Sequence, residues 1–211
     1  MEHARQQQCY AGVHERTTNR IGKNHDRNSA IMSTPPTDIA QEDQVFLPNP
    51  LVLVALSDHP SAGRKRLPWT RICKERFILR EQGSGTRMAC EAHFRATGLV
   101  PQVRLELGRS EAIKQAVRGG LGLSILSVHS LGPHFDQEGL TLLDAVSFPI
   151  DSHWHLVRPK GRRLSPLASE FCAHLLREAA EEAPYLRGAL LPKPSHAKTH
   201  EATGRRSSKK R

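Results

Sequence analysis

Leu51-Val52-Leu53-Val54-Ala55-Leu56 is the longest uninterrupted apolar run in the chain, set between Pro48-Asn49-Pro50 and Asp58-His59-Pro60. Its length and its proline-rich borders predict a strand buried on both faces, the kind found in parallel α/β sheets. Phe77-Ile78-Leu79 predicts a second strand. After Gln82-Gly83-Ser84-Gly85-Thr86-Arg87, the residues Met88, Cys90, Ala92, Phe94 and Ala96 fit a helix of about three turns, closed by Gly98. Residues 103–107 alternate apolar and polar, hence a strand. In residues 111–118, Ile113, Ala116 and Val117 have helical spacing, with Ser110 as the expected N-cap and Gly119-Gly120 as the stop. Residues 123–126, 140–143 and 153–157 predict further strands. Ser165-Pro166 opens a last helix in the Ncap and N1 arrangement. Leu167, Phe171 and Leu175, with Ala168, Cys172 and Leu176, should pack against something. The periodicity fades after Pro184.

Strand, turn, helix, strand, turn, helix, strand over residues 77–126 is the α/β order. Such connections place ligand-facing loops at the carboxyl ends of the strands. Residues 1–28 lack periodicity, and residues 33–43, with Pro35-Pro36, suit an exposed loop.

Charge modifies this picture only at the ends. The formal charge is +10, which suggests nucleic acid. Residues 191–211 hold seven cations against one acid, and residues 1–28 hold five against three. The middle of the chain is therefore close to neutral, as suits a ligand-binding or interaction domain. The Gly204–Arg211 tail either attracts nucleic acid without sequence preference or is simply solvated. Gly63-Arg64-Lys65-Arg66 is likewise either a phosphate contact or a solvated turn. Hydrophobic residues make up 37% of the chain and aromatics 5%, so part of it is expected to be tail rather than core. The start has no apolar leader segment, and no apolar run approaches the length of a membrane span.

Gly83-Ser84-Gly85-Thr86-Arg87 is the most informative element. It is either an anion-binding helix start, with Ser84 and Thr86 hydroxyls and a bidentate Arg87, or a plain Ser-capped helix after a glycine turn. It is neither a Walker A loop nor a hydrolase nucleophile elbow. Gly108-Arg109-Ser110-Glu111 is a second helix start. Two such starts on neighbouring strands would converge on one hollow. Gly119-Gly120-Leu121-Gly122 either faces that ligand region or only returns the chain tightly into the next strand. His153 and His155 share a strand face but find no third metal ligand at a telling spacing. Cys9, Cys73, Cys90 and Cys172 form no close pair and read as reduced thiols. No catalytic constellation and no cofactor motif is recognisable.

The blocks 77–87, 103–108, 110–117 and 119–126 resemble, in order, successive segments of the LysR-type effector-binding domain. His153-Trp154-His155, Arg158-Pro159-Lys160-Gly161 and Leu164-Ser165-Pro166 continue the match. Asn49-Pro50, the Leu51–Leu56 strand and Ser57-Asp58-His59-Pro60 also fit, and weaker similarity reaches Ala30-Ile31-Met32. The set looks most like the LysR regulators of carbon-fixation operons. The resemblance implies an α/β fold of the periplasmic-binding-protein-like type 2. One α/β subdomain would be complete (residues 58–160). The other would be partial, comprising residues 29–57 and a returning helix in 161–183. Residues 1–28 would be disordered or unrelated, and residues 184–211 a basic disordered tail. Family members begin with a winged helix-turn-helix and a long linker helix; residues 1–28 resemble neither, so the chain looks like a truncated regulator, expected to have no enzymatic activity and no cofactor. Its effector would be a small anionic metabolite, held by Ser84, Gly85, Thr86, Arg87, Arg109, Ser110 and Gly122. Phosphorylated sugars, related metabolites or NADPH would be the candidates. Such a chain would be cytoplasmic, with no membrane contact and no sequence-specific DNA binding of its own. It would act as a homo-oligomer or by pairing with an intact regulator. A free-standing solute-binding protein and a non-functional fragment remain the alternatives. Relatives commonly carry Ser-Asn where this chain has Arg109-Ser110, which alters the polar lining.

Overall fold

β3 (Leu51–Leu56) runs through a five-stranded sheet as its most deeply buried strand. The computed structural model describes residues 29–35, 40–132, 134–161 and 163–189, with side chains only to 180. The sheet has the order β5-β4-β6-β3-β7. Its other strands are β4 (Arg76–Arg80), β5 (Gln102–Leu107), β6 (Leu123–Ser127) and β7 (Leu140–Leu142). β4 is parallel to β5 and to β6, as the connections predict. β3 is antiparallel to both of its neighbours, which corrects its assignment to a parallel arrangement. A continuous apolar run reports burial of both faces, not strand direction, and helices on both faces bury either kind.

Alternate residues of each strand serve opposite faces. On one face Leu51, Leu53, Phe77, Leu79 and Ile125 pack with Cys90 and Phe94 of α2 (Gly85–Thr97) and with Trp69 and Ile72 of the short α1 (Trp69–Ile72). On the other, Val52, Val54, Ile78 and Leu126 pack with Ile113 and Val117 of α3 (Ser110–Arg118). Each such side chain contributes roughly 1.5–3 kcal/mol when fully buried, so these two layers hold the unit together. α1 had no periodic signal because one turn is too short to show one. Gly98 closes α2 in the left-handed conformation, at φ 68°.

The second sheet has three antiparallel strands in the order β1-β8-β2. They are β1 (Ala30–Met32), β2 (Gln41–Pro48) and β8 (His153–Pro159). β2 replaces the loop expected as far as Asp43. Its polar side chains are matched across the strands: Glu42 with Arg158 at 2.6 Å and Asp43 with His155 at 2.6 Å. α4 (Pro166–Ala189) covers one face, with Ser165 accepting the Ala168 N–H at 3.2 Å as its cap. Cys172, Leu175 and Ala179 pack towards Leu47, Trp154 and Leu156. Leu167 and Phe171 were expected on that buried stripe but are 81% and 51% exposed. The helix also continues through Pro184, beyond the expected fade. A proline removes one backbone bond but holds a helical φ, and the Glu- and Ala-rich neighbours favour the helix.

Two crossings join the sheets, at Asn49-Pro50 and at Asp151-Ser152. They run side by side, with Asn49 N–H donating to Ser152 O at 2.7 Å and Leu51 N–H to Ile150 O at 3.0 Å. The expected boundaries at 57/58 and 160/161 therefore move: β3 belongs to the larger sheet and β8 to the smaller. The expected tails, residues 1–28 and those after 189, lie outside the described residues.

Candidate functional site

The start of α2 lies at the carboxyl ends of β4 and β6, where the two sheets meet. Ser84 keeps an extended backbone (φ −68°, ψ 135°), and its hydroxyl accepts the Arg87 N–H at 3.3 Å. The first intrahelical bond runs from Met88 N–H to Ser84 O at 2.8 Å. The amides of Gly85 and Thr86 precede it, where the helix itself supplies no acceptor. Gly83 makes the turn at φ +86°, a conformation open to glycine. Gly85 allows the other sheet to approach: a Cβ there would stand 3.1 Å from Ser33 Cβ and 3.2 Å from its Oγ. Thr86, Cys90 and Phe94 are spaced one turn apart and all are buried, so the helix start is pinned by the same stripe that builds the core.

Three residues that sequence reasoning did not single out complete this seam. Asn49 is buried within the first crossing; its amide donates to Ser33 Oγ at 3.4 Å and its Oδ1 accepts from Ser127 Oγ. Ser33 comes from the segment after β1, Asn49 from the crossing, and Ser127 from the end of β6. Only the Pro-Asn-Pro setting of Asn49 hinted at a special role. Ser33 was placed in an exposed loop because its burial depends on a contact with Gly85, 52 residues away in sequence. The positive end of α2 and a row of hydroxyl and amide groups suit a carboxylate or phosphate.

The other expected site residues are distributed differently. Arg87 is turned into the protein. Its Nε donates to Glu91 Oε1 at 2.8 Å, and its Nη1 to Glu106 Oε1 at 2.8 Å and to Arg80 O at 3.0 Å. Burial works to lower its pKa, but hydrogen bonds to Glu91 and Glu106, and their charges, hold it above the ordinary arginine value. Arg109 is exposed and is itself the N-cap of α3, without a side-chain cap bond; Ser110, expected as the cap, is the first helical residue. α2 and α3 start at the same sheet edge but pack on opposite faces. The Glu81 carboxylate lies between the two turns: it pairs with Arg80 at 2.8 Å, and a Cβ on Gly108 would stand 3.6 Å from it. The two helix starts expected to converge on one hollow thus share a sheet edge but flank it from opposite faces, because consecutive crossovers leave the sheet on different sides.

Gly122 lies at the opposite, amino-terminal edge of the parallel strands. A Cβ there would come within 2.4 Å of Arg76 O. It borders a cavity of about 490 Å³ whose walls include His59, Lys74, Arg76 and Arg104. Gly122 is separated from the α2 start by the length of the strands. The 63–66 turn is solvated, with Lys65 near Asp144 at 3.9 Å. His153 approaches Asp151 at 3.8 Å while His155 engages Asp43. Among the described residues no three His, Cys, Asp or Glu side chains form a metal-binding group.

The family profile described as the LysR substrate binding domain matches residues 13–180. The chain belongs to the LysR substrate-binding family. Its match begins inside the 1–28 stretch that was expected to be unrelated. The chain is 42% identical over 150 residues to a RuBisCO operon transcriptional regulator of Allochromatium vinosum, covering 71% of this chain and 50% of that one. It is 37% identical over 185 residues to the regulator of the same name from Acidithiobacillus ferrooxidans, covering 88% and 59%. This LysR domain thus spans about half the length of the curated relatives it matches. Among solved structures, the Synechocystis PCC6803 CcmR regulatory domain in complex with 2-PG superimposes with a TM-score of 0.73 at 42% identity, covering 79% of each chain. The effector-binding domain of QuiR in complex with shikimate shares the fold, with a TM-score of 0.70 at 19% identity. The expected periplasmic-binding-protein-like α/β architecture holds. Among the described residues no helix is long and apolar enough to cross a membrane.

Proposed function

We propose that this LysR domain senses a small anionic metabolite and through it controls transcription. One observation carries this reading: the electropositive, Ser84-capped start of α2 lies at the seam between the two sheets, where Ser33, Asn49 and Ser127 converge. The likeness to a CcmR regulatory domain solved with 2-PG supports an anionic ligand. The names of the curated relatives support a role in a carbon-fixation operon. In this proposal Ser84, Gly85 and Thr86 contact the effector directly. Arg109 and Ser110 tune the same sheet edge from the far face. Gly122 shapes the opposite edge and does not touch the effector. The role is binding rather than turnover, in the cytoplasm. Regulation would proceed through self-association of LysR chains.

The test is calorimetric titration of the folded chain with 2-PG. Saturable binding is expected, and Thr86→Val, which keeps the shape and removes the hydroxyl, should weaken it roughly tenfold or more, as loss of a hydrogen bond to a charged group does. A folded chain that binds neither 2-PG nor any other small organic anion would sink the reading.

A further inference from the structure

Arg87 sits three residues into α2 yet reaches four partners. Its own N–H is held by Ser84 Oγ. Its guanidinium holds the last carbonyl of β4, a carboxylate one turn along α2, and Glu106 on the edge strand β5. The side chain is 9% exposed, so these contacts are formed largely out of water. One cation between two carboxylates leaves a local charge of −1, which gives an incoming anion no attraction. Only a planar guanidinium bonds several acceptors in a fixed geometry.

We propose that Arg87 is a positioning residue: it fixes the first turn of α2 against the ends of β4 and β5, so that the Gly85 and Thr86 amides face the seam. This rests on the effector reading above, since a positioned turn is useful only if something binds there. Without the guanidinium, Glu91 and Glu106 repel each other and the tie from α2 to Arg80 O is lost. The turn that carries Ser84 then separates from the sheet edge. A lysine ammonium has three donors, but on a single nitrogen, and so lacks the wide planar fork that spans the carbonyl and both carboxylates.

Arg87→Lys, Glu106→Gln and the double variant are titrated with 2-PG alongside the unaltered chain. Their melting temperatures and the hydrogen exchange of the Gly85–Met88 amides, without ligand, are recorded in parallel. Each single variant should weaken binding roughly tenfold, the double variant little more than either, because contacts within one network are not additive. Exchange at Gly85–Met88 should quicken before that of the rest of α2. If affinity is unchanged while the melting temperature falls, Arg87 is merely structural and the proposal is overturned. If Arg87→Lys abolishes binding while Glu106→Gln leaves it untouched, Arg87 contacts the anion directly, and the proposal is again overturned. If the unaltered chain binds no anion, the functional reading fails instead. The exchange data then decide separately, and an undisturbed first turn in Arg87→Lys would remove the positioning role as well.

Discussion

At Gly122 the chain enters β6 so close to β4 that a methyl group would lie 2.4 Å from Arg76 O, with φ at +155°. Backbone, not a flexible side chain, is the obstacle. Gly122→Ala should therefore cost about 2–4 kcal/mol, combining a clash with backbone strain, with effector affinity little changed in the folded fraction. Urea denaturation followed by circular dichroism measures the cost. A change below about 0.5 kcal/mol, the scale of an ordinary surface substitution, would show that the approach relaxes freely. The glycine itself was legible, since a Gly-Gly-Leu-Gly turn announces tight geometry. What it approaches was not, because Arg76 is distant in sequence. Arg87 makes the same point. Its position beside a glycine turn suggested a ligand contact, whereas the carboxylates that capture it lie one helical turn and one strand away. Cys90 is plain by contrast. Chiefly through burial, its thiol is pushed up to about 12, in keeping with core filling.

Elements with a strong period emerged with little error. α2, α3 and the strands β4, β5 and β6 follow the expected order, differing by a residue or so at the ends. α4 shows where periodicity alone stops. Its composition permits two adjacent apolar stripes, and the sheet takes only the one through Cys172, Leu175 and Ala179. Leu175→Ala should cost about 2–5 kcal/mol, the range for truncating a buried leucine. Phe171→Ser should cost under about 1 kcal/mol, since half of that ring already meets water. Equal losses from the two substitutions in thermal unfolding would show that both stripes are covered. β2 was hidden for the opposite reason. Gln41-Glu42-Asp43-Gln44 has no apolar alternation, and it forms a strand because β8 presents Arg158 opposite Glu42 and His155 on the diagonal to Asp43.

Across the whole molecule, two sheets share a seam in which one buried asparagine links three segments. Trp69 reports on the larger sheet and Trp154 on the smaller, so each unit has its own fluorophore. Asn49→Ala should cost about 1–3 kcal/mol, the penalty for leaving buried partners unsatisfied. In Trp69→Phe and Trp154→Phe backgrounds, the two urea transitions should coincide with Asn49 present and separate without it. Coincident transitions in the alanine variant would mean that other contacts suffice to couple the sheets, such as the backbone bonds between the crossings and His129 stacked on Trp154 at 5.0 Å.

The amino-acid order by itself determined the α/β class, the succession of the central elements, the Ser84 cap, the glycine turns and the family. These depend on neighbours within a few residues, where backbone preference and side-chain period act directly. Tertiary structure alone decided that β3 runs antiparallel, that α2 and α3 occupy opposite faces, that Gly122 and Ser84 stand at opposite edges, and that Ser33, Asn49 and Ser127 meet. Each of these depends on contacts between distant segments, which local pattern does not encode because burial specifies that a side chain is covered but not by what.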